Sequence, residues 1–463
     1  MKRFINRSEE LEFLNEQYKS GSASMVIIYG RRRVGKTSLI MEFAQDKPFL
    51  YFLASEEAEH LNQRVLKNQI AEYTGDLLLA QAAVDNWDIL FQTLSKYISD
   101  QRLVLVIDEF QYLCVSNPVF SSVFQRIWDT YLQDKNIMVI LCGSLIHMME
   151  AQTLNYNSPL YGRRTGQIKL RQIDFLYYRD FFEGLSYNEL VEFYAVTGGT
   201  PKYIELFDGS NNLFSEIERN ILNDFSLLFE EPTFLLQNEV KEIGSYFSII
   251  RSIAAGNRRL GKLCADLGVK ETSMPKYLKT LIDLDILERE TPVTETNPGK
   301  SKMGQYRIKD NFLSFWFRFV YPEKSRLERS DTTYVMQKIK ANFVDNHVAF
   351  VYESVCQSEM WGLVLQGRLN INKIGRWWNN KEEIDIVGLD SGGDEIVFGE
   401  CKYQNKPVDT DVFESLLIKK QWVNWKNESR KERYILFSKS GFTERLHKIA
   451  SDREDLILFG DTL

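Results

Sequence analysis

A chain of 463 residues with 44% hydrophobic content is too long for one core and is expected to fold as about three or four globular domains. Its net charge of −7 excludes a molecule that is polycationic as a whole. The five cysteines (Cys114, Cys142, Cys264, Cys356 and Cys401) are scattered and lack CxxC spacing, so neither a disulfide framework nor a structural zinc is expected and a reducing, cytoplasmic setting is. The first residues lack the apolar stretch of a signal peptide, and no run of 18 apolar residues exists, so no membrane association is expected.

In chain order, residues 25–29 read as a buried strand, and a helix is expected from Ser38 onward. Between them lie Gly30, Arg31, Arg32, Arg33, Val34, Gly35, Lys36 and Thr37. Two glycines this far apart, followed by Lys-Thr, let a loop turn several backbone N–H groups onto one phosphate at the positive end of the following helix. The spacing predicts that this loop cradles a nucleoside triphosphate. Lys36 would reach its outer phosphates, and Thr37 would offer its hydroxyl to Mg²⁺. Residues 103–107 form a continuous apolar run, as in a strand covered on both faces, and end in Asp108-Glu109. Asp108 is the candidate Mg²⁺ holder and Glu109 the candidate general base on the attacking water. A third strand, 137–142, leads to Gly143-Ser144. Ser144 is either a sensor of the outer phosphate or a small residue in a turn. In the turn-rich segment 158–166, Arg163 is favoured over Arg164 as a charge-stabilising finger; a pair of surface cations is the alternative. Residues 197–203 break a helical region with Gly-Gly-Thr-Pro, which either lays Pro201 and Tyr203 against the nucleotide or is an ordinary turn between helices.

These motifs, in this order, resemble the archaeal-type ATPases, a branch of the STAND class of AAA-like P-loop NTPases. Residues 4–11 resemble that family's N-terminal box, which approaches the adenine. Asn6 stands where the family usually has Gly, and Asn also tolerates positive φ. The resemblance implies ATP rather than GTP, an expectation matched by the lack of an Asn-Lys-x-Asp guanine-reading segment. On this reading residues 1–165 are the P-loop ATPase core, with a parallel sheet, and the aromatic segment 166–240 is a helical lid.

Residues 241–320 change to short helices and tight turns. Three helices followed by a hairpin over 288–308 predict a winged helix-turn-helix. Residues 251–310 hold 12 Lys/Arg against 8 Asp/Glu. DNA contact would use Lys276 and Lys279 on the recognition helix and Lys300 and Lys302 on the wing. Packing between domains is the competing reading. The run 312–320 is too short for a membrane span, carries Arg318, and reads as a buried helix.

The last segment, 325–463, is expected to be a second α/β domain. Glu353 falls on a probable helix, Asp385 on a strand, and Glu400 and Lys402 on the next strand, where period-two spacing sets them on one face. Asp385 and Glu400 can hold Mg²⁺, and Lys402 can orient or deprotonate a water, which is the equipment of metal-assisted phosphodiester cleavage. With Glu353, the set resembles the restriction-endonuclease-like fold and its Glu, Asp, Glu-x-Lys signature, a domain commonly joined to archaeal-type ATPases. It implies a nuclease directed at nucleic acid, DNA favoured over RNA; retention as a binding or regulatory module stays open. Lys419, Lys420, Trp422 and Trp425 either meet a nucleic-acid backbone or pack as an amphipathic helix. A homo-oligomer is compatible with all of this.

Overall fold

Three apolar runs become the centre of a parallel sheet because both their faces are covered. In the computed structural model, which describes residues 4–84, 86–98 and 100–460, strands β1 (Ser24–Tyr29), β3 (Leu103–Asp108) and β4 (Ile137–Gly143) are buried at every position. With β2 (Phe49–Leu53) and β5 (Gly166–Lys169) they form a five-stranded sheet in the order β2-β3-β4-β1-β5, parallel throughout. Strand β4 therefore lies between β1 and β3, so the phosphate loop after β1 and the acidic pair ending β3 flank the tip of β4. Helix α1 (Ser8–Lys19) precedes the sheet, and α2 (Lys36–Ala44) follows the loop. Leu14, Val26, Ile28, Leu39, Phe43, Val104 and Ile140 share one core cluster.

The expected boundary at residue 165 cuts off β5. Its four residues pair with β1, Val26 opposite Gly166 through Tyr29 opposite Lys169. The aromatic content of the following segment masked so short an edge strand. The chain separates into two compact units, one reaching to Gln172 and including Thr200–Lys202, the other holding the remainder.

In the second unit, helix α3 (Tyr187–Thr197) starts with a capping box in which Ser186 and Glu189 satisfy each other's backbone N–H. Helices α4 (Ile243–Ala254), α5 (Leu260–Leu267) and α6 (Met274–Asp283) precede a two-stranded antiparallel ribbon of β6 (Leu287–Glu290) and β7 (Gln305–Ile308). The third helix, expected over 272–287, stops at Asp283 so that Leu287 can enter β6. Helix α7 (Asn311–Phe315), capped by the Asp310 carboxylate, continues as a wider turn of helix over Trp316–Val320 and is buried, as expected.

The chain then runs through α8 (Ala349–Leu365), β8 (Lys373–Trp378), β9 (Glu383–Leu389), β10 (Glu395–Lys402), α9 (Thr410–Lys419), β11 (Lys431–Ser438), α10 (Glu444–Ser451) and β12 (Leu456–Gly460). The five strands make a mixed sheet in the order β12-β11-β10-β9-β8. Strands β8, β9 and β10 are antiparallel neighbours, and β10, β11 and β12 are parallel. One core cluster unites Ile384, Val387, Phe398, Phe413, Leu416, Leu436 and Leu446.

Candidate functional site

The loop between β1 and α2 places its backbone by positive φ at Gly30 (153°), Arg33 (70°) and Gly35 (95°). A Cβ on Gly30 would stand 2.4 Å from the Leu170 carbonyl, so only glycine fits there. The Lys36 ammonium is buried and donates to the carbonyls of Gly30 (2.8 Å) and Arg31 (2.9 Å), which ties the loop to its own helix. Burial lowers the Lys36 pKa, while Glu109 and Asp108 are among the groups that oppose the shift. Thr37 and Ser38 face outward on the first turn of α2. The hydroxyl of Thr37 reaches Asp108 Oδ2 (3.3 Å), and the same carboxylate oxygen accepts from the Tyr51 hydroxyl (2.5 Å).

Glu109 leaves the strand at φ 53°, a conformation uncommon for a residue with a side chain and frequent at functional positions. Its N–H donates to Asp108 Oδ1 (2.9 Å). Its carboxylate accepts from the Ser144 hydroxyl (2.8 Å), the Ser144 N–H (3.2 Å) and the Gln111 amide. Ser144 therefore orients Glu109, through the β4 tip that separates Glu109 from the phosphate loop. A Cβ on Gly143 would collide with Gln111 Oε1 and Met149, so the glycine before Ser144 makes room for that amide.

Pro201 packs on the loop: a Cβ on Gly35 would lie 3.9 Å from Pro201 Cγ. Tyr203 belongs to the second unit, where its hydroxyl donates to Glu231 (2.8 Å) and its ring meets Phe312. In the N-terminal box, Asn6 does adopt positive φ (61°). Next to it, the buried Arg7 guanidinium donates to the carbonyls of Val34 (3.3 Å) and Arg171 (2.5 Å) and pairs with Glu10. Arg7 thus clamps the phosphate loop to the end of β5, a role that residue type alone did not signal.

Arg163, a finger candidate for its own or a neighbouring subunit's phosphate, lies away from the phosphate loop of its own chain. It forks onto Asp129 through Nε–Oδ1 (3.1 Å) and Nη2–Oδ2 (2.9 Å), and it donates to Pro159 O. Two residues later, Thr165 N bonds to Met25 O, at the start of β1. The loop leaves the other end of that strand, about 13 Å away at ~3.3 Å per residue. Parallel pairing of β5 with β1 sets this distance, which motif order could not show. Arg164 donates to Leu154 O and lies over the Tyr161 ring.

The second unit brings Asp385, Glu400 and Lys402 together. The Lys402 ammonium donates to Glu400 Oε2 (2.8 Å) and stands 3.9 Å from Asp385 Oδ2. Asp385 also accepts from the Cys401 N–H (2.9 Å). Burial, then the charges of Glu400 and Glu353, push the Asp385 carboxyl up to about 7. Burial alone would raise Glu400 too, but Lys402 and Lys419 bring it below its ordinary value. Lys402 is held above its own by Glu400 and Asp385 despite burial. It therefore stays charged at neutral pH, which suits orientation and charge stabilisation and not removal of a proton.

Glu353 stands apart from this trio. It pairs with Arg376 (3.2 Å) on β8 and reaches Asp385 only through its field. Lys419 and Lys420, expected at a nucleic-acid backbone or on a packed face, point into the domain. Lys419 donates to Glu400 Oε1 (2.7 Å), and Lys420 engages Glu432 and Tyr434. Among the described residues, no group of three or more His, Cys, Asp and Glu side chains is arranged to hold a metal ion. Lys276, Lys279, Lys300 and Lys302 are all exposed, with Lys279 paired to Asp283. No described helix is long and apolar enough to cross a membrane.

Comparison with known proteins agrees with the first unit. Residues 4–207 match the ATPase domain found predominantly in Archaea, and residues 316–415 match a family described as archaeal and bacterial proteins of unknown function. An uncharacterized protein of Methanocaldococcus jannaschii is 35% identical over 407 residues, 87% of this chain and 88% of that protein. An uncharacterized ATP-binding protein of the same organism is 54% identical over 44 residues, 10% of this chain and 75% of that protein. Among solved structures, the Walker-type ATPase of Pyrococcus abyssi shares the fold with a TM-score of 0.51 at 20% identity, covering 68% of this chain and 96% of that one. The chain belongs to the family of the 35%-identical M. jannaschii protein, and its residues 4–207 are an archaeal-type ATPase domain on a P-loop NTPase fold.

Proposed function

We propose that this chain is an ATP-hydrolysing switch of the STAND type whose second unit carries a metal-dependent nuclease directed at DNA. In the first unit, Lys36 and the loop N–H groups hold the phosphates, and Pro201 backs the loop. Thr37 Oγ1 and Asp108 Oδ2, 3.3 Å apart, are hard oxygen donors of the type Mg²⁺ takes. Glu109, aimed by Ser144 and Gln111, polarises the attacking water. Because Arg163 lies at the far end of β1, a finger role for it requires a neighbouring subunit's phosphate and hence a homo-oligomer. Five free cysteines fit a reducing cytoplasm.

In the second unit, the helix–three-strand–helix–strand order matches what a restriction-endonuclease-like domain needs. The observation that carries the nuclease reading is the Lys402 ammonium between Glu400 and Asp385. Both carboxylates lie within 4 Å of the Lys402 ammonium and offer hard oxygen donors, the type a divalent cation with waters in its shell takes. That cation would supply Lewis acidity toward the scissile phosphate. Asp385 and Glu400 would hold it, and Lys402 would orient the attacking water and offset charge on the phosphate. Helices α4–α6 and the β6–β7 ribbon have the composition of a winged helix, and its exposed lysines suit a phosphate backbone.

A second reading, nucleic-acid or protein binding without cleavage, is favoured by one contact: Lys419 occupies Glu400 Oε1. The test is cleavage of single- and double-stranded DNA and of RNA with Mg²⁺ or Mn²⁺, in the wild type and in Asp385→Ala. Metal-dependent cleavage lost in Asp385→Ala, with ATP hydrolysis intact, supports the nuclease. ATP hydrolysis and DNA binding with no cleavage under any metal condition supports the second reading.

A further inference from the structure

We propose that a small cavity walled by Arg258, Arg307 and Arg318 is a binding site for a single phosphoryl group, distinct from both sites above. The cavity lies where the loop after α4, strand β7, the aromatic helical segment and the start of α8 converge, all within the second unit. Its volume is about 30 Å³. About 10–15 Å³ of such space holds one water, so the cavity suits one compact oxyanion and excludes a nucleoside.

The charges around it do not cancel. Arg307 is accounted for: it pairs with Glu290 (3.5 Å) and donates to Phe350 O (3.0 Å) and to the Ser354 hydroxyl. Arg318 is not. Its Nε is buried with no hydrogen-bond partner, and no carboxylate enters its electrostatic surroundings among the described residues. Arg258 lies over the Phe350 ring at 4.8 Å, and its guanidinium has no ion-pair partner among the described residues. Burial and the neighbouring Arg307 and Arg376 push Arg258 down to about 10, with Glu353 and Glu290 opposing. A buried guanidinium N–H without an acceptor is costly, and the Arg318 Nε on the same cavity as the half-buried Arg258 gains most from an anion that accepts from several N–H groups at once. Ser314 and Asn346 line the same space and can donate further. His347, which also lines it, adds no charge: its Nε2 bonds to Ala195 O (2.7 Å), and burial holds its pKa down to about 3.

A phosphoryl group could arrive as inorganic phosphate or as the end of a nucleic-acid strand at the cavity mouth. The test is calorimetric titration of the full chain carrying Lys36→Ala, which removes the phosphate loop's own ammonium. Inorganic phosphate and a 5′-phosphorylated dinucleotide are the two ligands. Binding of either is expected, the tighter naming the source. In the same background, Arg318→Gln and Arg258→Gln should each weaken it by about tenfold or more, the scale of a lost charged hydrogen bond. Arg318→Lys should recover part of the affinity. Circular dichroism and the ligand-free melting midpoint establish that each variant is folded. Absence of binding by both ligands, or binding unchanged in both glutamine variants, overturns the proposal.

Discussion

At the phosphate loop most of the chemistry lies in the backbone, whereas at the Asp385 cluster three side chains on two strands carry all of it. The loop's N–H groups are positioned by Gly30, Arg33 and Gly35 in positive φ, and Lys36 reinforces them through two carbonyls. The cluster instead balances two carboxylates against Lys402 and Lys419, so it stands or falls with individual charges. A backbone site tolerates change around it, with Lys36 the side chain on which it most depends. A side-chain site can keep its fold and lose its chemistry through one substitution.

The largest effect expected is at the loop. Lys36→Ala should weaken ATP binding by about 10²-fold or more, because it removes charged hydrogen bonds to the phosphates. Titration calorimetry with ATP checks this, and unchanged affinity would break the comparison at its first term. Glu109→Gln comes next: ATP should still bind while multiple-turnover hydrolysis falls by ~10²-fold, the scale of a lost general base. Ser144→Ala should be milder. It removes one hydroxyl from the Glu109 carboxylate and leaves the Gln111 amide, so turnover should fall about tenfold with ATP affinity unchanged. Equal losses in affinity and turnover would return Ser144 to direct contact with the phosphate.

Legibility in the sequence follows the same division. The phosphate loop and the Asp108-Glu109 strand end could be read because fixed spacing and apolar runs encode them locally, whereas the hydrogen bond of Ser144 to Glu109 could not. The pairing of Glu400 and Lys402 on one strand face was readable from period-two alternation. What escaped depends on contacts distant in sequence. Arg7 reaches Val34 and Arg171, Lys419 reaches across from α9 to Glu400, and Glu353 is drawn to Arg376 rather than to Asp385. Whose phosphate Arg163 could serve stayed open, because a turn rich in arginine carries no mark of which end of the sheet it occupies. Four residues of β5 were too few to carry a strand pattern against an aromatic background.

The smallest expected effect is a pH dependence in the second unit, where His347 is buried. His347 is fully buried with its pKa depressed to about 3, so the folded state holds it neutral. The stability this contributes is present above its unfolded value near 6.5 and is lost as pH falls toward 3. Between pH 7 and 5 the loss is about 2 kcal/mol. Asp385, raised to about 7, shifts stability the opposite way over the same interval, so urea unfolding of both the wild type and His347→Gln at the two pH values isolates the histidine: on going from pH 7 to 5 the variant should fare about 2 kcal/mol better than the wild type. The same pH dependence in both proteins would contradict the assignment.

That two separately built sites share one chain is tested most directly by measuring both in the same two variants. Mn²⁺ binding to the nucleotide-free protein, followed by electron paramagnetic resonance, and steady-state ATP turnover should separate cleanly. Lys36→Ala should lose turnover and keep Mn²⁺ binding, and Asp385→Ala should lose Mn²⁺ binding and keep turnover. Loss of both properties in Asp385→Ala, with the protein still folded, or Mn²⁺ binding that survives that substitution unchanged, would contradict it.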